Sequence, residues 1–204
     1  MLKKDIRVIL SVPFIYDLFQ SLVGAKRIRK KFVKKYVQPK QFDCILDIGC
    51  GTAEIINYLP KVEYYGFDTD KFYIESAKKK FGVCANFHCS NIDNECLESM
   101  PQFDIVIAMG VLHHLDDKTA INLFKTAEKA LKAGGRLITL DPCYSNNQSK
   151  IAKYIISNDR GKFVRNRFGY EKLARAIFPL VSINIRNDLL FIPYTHIILE
   201  CRKT

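Results

Sequence analysis

Asp47, Gly49, Gly51 and Asp68 are the residues of this 204-residue chain whose types and spacing point most directly to chemistry. The stretch "CILDIGCGTAEI" (44–55) passes from apolar residues through an aspartate into Gly49-Cys50-Gly51. Two glycines one residue apart admit positive φ and let a ligand lie close against the backbone. Asp47 before the turn and Glu54 after it bring two negative charges, which are wrong for a pyrophosphate. Glu54 also stands where G-x-G-x-x-G needs its third glycine, and no G-K-[ST] follows to make a P-loop. The residues suit a ligand with a cationic end. Cys50, between the glycines, has a nucleophilic reading and a packing reading, and burial is the commoner fate of cysteine.

The elements that must hold these residues follow from the apolar pattern. Ile45, Leu46 and Ile48 form a short buried strand bounded by breakers, and residues 53–59 follow as a helix. "VEYYGFD" (62–68), "ANFHCS" (85–90), "FDIVIAM" (103–109) and "RLITL" (136–140) read as further strands. The unbroken apolar centre of 103–109 marks a strand covered on both faces. Helices are expected over 71–81 and 119–135, the second ending at Gly134. Alternating strands and helices imply a doubly wound, Rossmann-like α/β sheet, mostly parallel. "SINIRNDLLF" and "THIILECR", joined by a short link around Pro193, suit an antiparallel pair. Residues 13–37 read as N-terminal helices, and 144–180 as an insertion with two helices over the mouth of the site. The whole chain is expected to be a single domain: an N-terminal lid (1–40), a core (41–143), a cap (144–180) and a terminal strand pair (181–204).

Composition narrows the class. The chain is 48% hydrophobic, enough for one core. It has no run of about 18 apolar residues to span a membrane. Lys3, Lys4 and Arg7 precede "VILSVPFIY", but Pro13 and Asp17 interrupt what would be a signal peptide, so this stretch reads as a helix of the fold. Seven cysteines without a C-x-x-C pair and four histidines lack zinc-ligand spacing, so no metal is expected. Scattered, odd-numbered thiols fit a reducing, cytoplasmic setting. The net charge of +11 is uneven: residues 1–40 carry +9, residues 41–143 carry −5 and residues 144–204 carry +7. Basic flanks around an acidic core point to an anionic partner met by the flanks.

"ILDIGCGTAEI", the acid-ended "YYGFDTD", "FDIVIAMGVLHHL" and "ALKAGGRLITLD", in this order and spacing, resemble a class I S-adenosylmethionine-dependent methyltransferase over about residues 43–141. The resemblance implies a seven-stranded, mostly parallel sheet with an antiparallel last strand. It implies S-adenosylmethionine as cofactor, with Gly49 and Gly51 against its methionine and ribose parts. Asp47 would hold its ammonium, directly or through water, and Asp68 would accept the ribose hydroxyls. Asn91, where the family has an aspartate, would accept from the adenine amino group, with Ile92 and Met109 beside the nucleoside. Ala53 replaces the third small residue of the family's turn. Tyr16 and Gln20, four apart on one helical face, would close over the cofactor.

Methyl transfer from a sulfonium needs alignment, and a base only when the acceptor must shed a proton. His113 or His114 stands at the mouth after the fourth strand, with His114 the candidate base. The [DN]-P-P-[YF] stretch of amino-methylating nucleic-acid enzymes is absent there, the sequence reading Ala108-Met109-Gly110-Val111. Arg160, Arg165 and Arg167, interleaved with Phe163, Phe168 and Tyr170, are the candidate acceptor residues, since arginine grips phosphate or carboxylate at two points. A small, anionic or lipid- or glycan-linked acceptor is therefore preferred, with peripheral membrane contact compatible. The alternatives are an RNA substrate held by Lys26–Lys35, and a non-catalytic S-adenosylmethionine-binding protein.

Overall fold

The computed structural model describes residues 24–204. Among these, seven strands form one sheet: β1 (Cys44–Ile48), β2 (Glu63–Asp68), β3 (Asn86–Cys89), β4 (Phe103–Met109), β5 (Leu131–Pro142), β6 (Leu180–Arg186) and β7 (His196–Arg202). Their order is β3-β2-β1-β4-β5-β7-β6. All neighbours pair in parallel except β7, which runs antiparallel to both β5 and β6. The expected Rossmann-like architecture with a reversed last strand is present. Strand order reverses between β1 and β4, where ligands of such sheets bind beyond the carboxyl ends.

The central strands are apolar without alternation because both faces are covered. Leu46, Val106, Leu137 and Leu199 point to one core, with Phe124 and Phe178. Ile45, Ile105, Ile138 and Ile198 point to the other, with Ile28, Phe32 and Ile74. The described α-helices are α1 (Ala25–Phe32), α2 (Lys71–Phe81), α3 (Asn94–Glu98), α4 (Asp117–Ala130), α5 (Lys150–Ser157) and α6 (Arg167–Arg175), and short π or 3-10 segments occupy Val33–Val37, Glu54–Tyr58 and Leu112–His114.

Four elements differ from the sequence expectation, each for a local reason. The helix expected over 53–59 is a single 3-10 segment, Glu54–Tyr58. Leu59 is already extended, as the residue before Pro60 prefers. The helix expected to reach Gly134 ends at Ala130, because Leu131 pairs with Phe103 and the Lys203 ammonium takes the Glu128 and Leu131 carbonyls at 2.7 and 2.9 Å. Strand β6 stops at Arg186, and Leu189 turns inward to complete the core.

The fourth difference concerns the flanks. Helix α6 is a sheet-covering crossover rather than cap: Tyr170, Leu173 and Ala174 are buried against α4, and the Tyr170 hydroxyl donates to the Pro142 carbonyl at 3.0 Å. Two parallel strands, β5 and β6, need such a crossover. Residues 159–165 meet the turn that follows β4. Helix α1 likewise covers the sheet, burying Ile28 and Phe32 and continuing into a π-helical turn, Val33–Val37. The lid contacts expected of Tyr16 and Gln20 lie outside the described residues.

Arg136 of β5 braces that turn, its guanidinium donating to the carbonyls of Tyr36 (3.0 Å), Val37 and Gln38 (3.4 Å). Its side chain is only 16% exposed. Arg136→Ala is expected to destabilise the protein by about 1–3 kcal/mol, the scale for stranding buried acceptors. Urea unfolding should show a lower midpoint with an unchanged slope. A midpoint equal to the parent's would count against the brace.

Candidate functional site

The glycine turn leaves β1 in a run of left-handed residues: Gly49 at φ 72°, Gly51 at 55° and Ala53 at 56°. Gly49 admits no side chain, since an added Cβ would lie 2.6 Å from Val111 Cγ2. An added Cβ on Gly51 would meet nothing within 4 Å, so open space lies above that backbone. Ala53 holds this left-handed conformation at a cost of roughly 1–2 kcal/mol for an L-residue. Its methyl is fully buried in the core, which offsets part of that cost.

The turn is fastened to β2. The N–H groups of Gly49 and Cys50 both donate to the Phe67 carbonyl, at 2.8 and 3.0 Å. Gly51 N–H donates to Asp68 Oδ2 at 2.9 Å, and Asp70 N–H to Asp68 Oδ1 at 2.9 Å. A carboxylate oxygen has two lone pairs, so each Asp68 oxygen keeps one for a ligand hydroxyl. Glu54 turns away, paired with Lys80 of α2 and accepting from Asn57 Nδ2 at 3.1 Å. Burial and the nearby Asp47 and Asp68 carboxylates push the Cys50 thiol far up, which removes the nucleophilic reading.

Asp47 is the most unusual group here. It is 3% exposed at the end of β1, and Tyr64 donates to its Oδ2 at 2.6 Å. Its Oδ1 is buried and has no hydrogen-bond partner among the described residues. Burial raises its pKa to about 7, against the pull of the Tyr64 hydrogen bond. A buried acceptor without a donor is costly, and an incoming cation or N–H donor would relieve it.

Beyond β4 the two histidines part company. His113 is buried, its Nδ1 2.8 Å from Asp141 Oδ1 and its Nε2 3.4 Å from Asp159 Oδ1. Burial alone would lower its pKa, but the two aspartates outweigh it and raise the value to about 9. His114 is exposed, its ring centroid 4.0 Å from that of His113. Partial desolvation and the His113 charge lower its pKa, so it is a neutral imidazole at neutral pH.

The arginines also divide. All five Arg165 N–H donors are used within the protein: Nε and Nη2 on Asp117 at 2.9 and 2.7 Å, Nη1 on the Leu112 and Phe163 carbonyls, and Nη2 on the Leu115 carbonyl. The expectation of Arg165 as an acceptor residue gives way to a brace on the histidine turn. Arg160, Lys162 and Arg167 are exposed, and Arg167 meets Glu171 only at 3.8 Å. Asn91 is exposed beyond β3, while Ile92 and Met109 are half-buried against the core.

Tyr64, Asp141, Asp159 and Tyr194 were missed by sequence reasoning. Asp141 ends its strand in an acid as Asp47 and Asp68 do, a signal that was available. Nothing in the sequence singles out the other three. A depression of about 390 Å³ at the amino ends of β2 and β3 contains Tyr64 but none of the other site residues.

Residues 46–137 match a family model described as a methyltransferase domain. Desmethylxanthohumol 6'-O-methyltransferase from Humulus lupulus is 29% identical over 103 residues, covering 48% of this chain and 27% of that protein. The chain spans less than half the length of the curated relatives it matches. A SAM-dependent methyltransferase from Archaeoglobus fulgidus superposes with a TM-score of 0.70 at 19% identity, over 92% of this chain and 99% of that one. Magnesium protoporphyrin IX methyltransferase from Synechocystis, solved with bound SAH, gives 0.64 at 17%, over 91% and 87%. At these identities the structural likeness speaks to the fold.

The raised Asp47 pKa makes a prediction without any ligand. Between about pH 4 and pH 7 the folded carboxyl holds a proton that the unfolded chain has released, so this group lowers stability as pH rises through that window. Asp47→Asn removes the titration. The variant's stability relative to the parent should therefore climb from pH 4 to pH 7 and level off above, in urea unfolding series. A difference independent of pH would overturn the assignment of a buried, charge-strained Asp47.

Proposed function

We propose that this chain is a class I S-adenosylmethionine-dependent methyltransferase that transfers a methyl group from S-adenosylmethionine to a small acceptor with an anionic or lipid- or glycan-linked part. The observation that carries the cofactor is the partnerless, buried Oδ1 of Asp47. It matches the ammonium of the methionine moiety. The free lone pairs of Asp68 match the ribose hydroxyls, and the open backbone at Gly51 leaves room for the ligand between them. Asn91 and Ile92 would serve the adenine, with Met109 beside the nucleoside. Bound there, S-adenosylmethionine supplies a methyl group on a sulfonium, whose transfer to a lone pair leaves a neutral thioether.

The chain's own part is to align, to exclude water and to take a proton. His113 has both ring nitrogens committed, so His114 is the imidazole available to a hydroxyl or amine acceptor. A neutral imidazole kept neutral by a cationic neighbour is a competent proton acceptor near pH 7. Exposed Arg160, Lys162 and Arg167, with Phe163 40% exposed among them, supply a basic, partly apolar rim for the acceptor.

Calorimetry tests the cofactor. Asp47→Asn and Asp68→Asn should each weaken S-adenosylmethionine binding by about 10- to 100-fold, the loss of hydrogen bonds to a charged acceptor. Undiminished affinity in both would sink the site, and tight NADH binding in place of S-adenosylmethionine would sink the family's chemistry. Isotope transfer from labelled S-adenosylmethionine into a cell extract identifies the acceptor. Label in small-molecule or lipid fractions supports the reading, whereas label in RNase-sensitive material supports the basic α1 as an RNA contact. His114→Ala should cut turnover about 10²- to 10⁴-fold with cofactor affinity retained.

A further inference from the structure

One buried side chain joins the cap to the sheet. Asp141 ends β5, and its Oδ1 meets both the Nδ1 of His113 at 2.8 Å and its backbone N–H at 3.2 Å. Asp159 belongs to the turn after α5, in the cap, and its Oδ1 lies 3.4 Å from His113 Nε2. A neutral imidazole has one donor and one acceptor, so it would present a lone pair to one of these carboxylates. Only the imidazolium satisfies both.

The cap is shaped to this ring. Gly161 N–H and the Tyr194 hydroxyl hold Asp159, both at 2.9 Å. Phe163 N–H donates to the His113 carbonyl at 2.9 Å. A Cβ on Gly161 would lie 2.1 Å from His113 Cδ2, so the chain crosses directly over the imidazole. Arg165 then closes the segment onto the carbonyls of Leu112 and Leu115.

We propose that His113 is a positioning residue: its imidazolium latches the cap turn around Asp159–Phe163 to the ends of β4 and β5, and so fixes the acceptor side of the mouth beside His114 without touching the acceptor. The acceptor part of this statement rests on the methyltransferase reading, whereas the latch itself does not.

The charges around the ring set the direction of its pH response. Asp141 faces it from β5, Asp159 from the cap and His114 from its own turn, with Arg160 near His114. From β7, His196 has its ring centroid 4.7 Å from that of Tyr194, tilted by 39°, and is held neutral, its pKa lowered to about 4 by burial and by the His113 charge. Tyr170 of α6 and Cys143 stand near Asp141 and stay protonated, both pushed up by burial. His113 titrates at about 9, above its ordinary 6.5. A raised histidine stabilises fully below the ordinary value, and that contribution is lost as pH rises through the folded one. The latch should therefore hold at pH 7 and release toward pH 10.

Two measurements on the ligand-free protein test the latch. The ¹⁵N resonances of the His113 ring should report a doubly protonated imidazole at pH 7.5, with a midpoint above 8; a midpoint at or below 6.5 overturns the proposal and needs no variant. Exchange protection of the Gly161 and Phe163 amides, corrected for intrinsic base catalysis, should fall about tenfold or more between pH 8 and pH 10. His113→Gln and Asp159→Asn should already show the low protection at pH 7 and no further step, and wild-type protection in both overturns the latch. Once a labelled acceptor is in hand, Asp159→Asn should raise its KM about tenfold while S-adenosylmethionine affinity stays within twofold of the parent. An acceptor KM unchanged in that variant overturns the positioning role. Failure of S-adenosylmethionine to bind, with the exchange step intact, would instead remove the methyltransferase reading and leave the latch standing.

Discussion

Burial of the central strands on both faces is the constraint from which the rest of the structure follows. Leu46, Val106 and Leu137 fill one side of the sheet while Ile45, Ile105 and Ile138 fill the other, so the middles of these strands are mostly apolar. Polar groups collect where the strands end. Asp47, Asp68 and Asp141 stand at the carboxyl ends of β1, β2 and β5, and each has a different answer to its surroundings. Asp68 accepts backbone N–H groups from two loops. Asp141 faces an imidazole through Oδ1, while its buried Oδ2 has no partner among the described residues. Asp47 has a tyrosine on one oxygen and nothing on the other. Asp47 and Asp68 make an acidic edge beside the point where strand order reverses, and there the protein offers acceptors to a ligand.

The chain's many cations do not answer that edge. Several arginines are internal braces instead. Arg136 holds the carbonyls after α1, Arg165 holds the histidine turn, and Arg186 joins Tyr36 to Asp188. Each exploits the planar, five-donor guanidinium, which satisfies several carbonyl or carboxylate oxygens from one position. A lysine would meet only part of such a set. Net charge therefore overstates how much positive surface is on offer to a partner, because several of its contributors are tied to backbone carbonyls or to acids.

The site also holds conformations that cost stability. Ala53 keeps a left-handed backbone beside two glycines, and Asp47 keeps a carboxyl where burial resists its charge. Neither is needed to build the sheet. Both lie along the turn where a ligand would touch backbone, which is where strain is tolerated when it prepares a binding surface. His113 adds a second kind of tension, a cation buried between two acids, stable only while all three are in place.

Much of this was legible in the residues themselves. Apolar runs bounded by breakers marked the strands, the reversed last strand was visible in the short link around Pro193, and the glycine turn with its flanking acids announced a ligand carrying a cationic end. These features are local, so composition and spacing determine them. The sequence also named His114 rather than His113 as the candidate base without showing how their surroundings differ, credited Arg165 to the acceptor and treated residues 144–180 as one cap. Tertiary structure decided each of these. Adjacent residues on a tight turn face different environments, so one histidine is enclosed by Asp141 and Asp159 from distant segments while its neighbour meets solvent. A guanidinium's partners are backbone carbonyls whose identity no side-chain pattern encodes. Helix α6 belongs to the core because parallel β5 and β6 require a crossover packed on the sheet, a demand that exists only once the strand order is fixed.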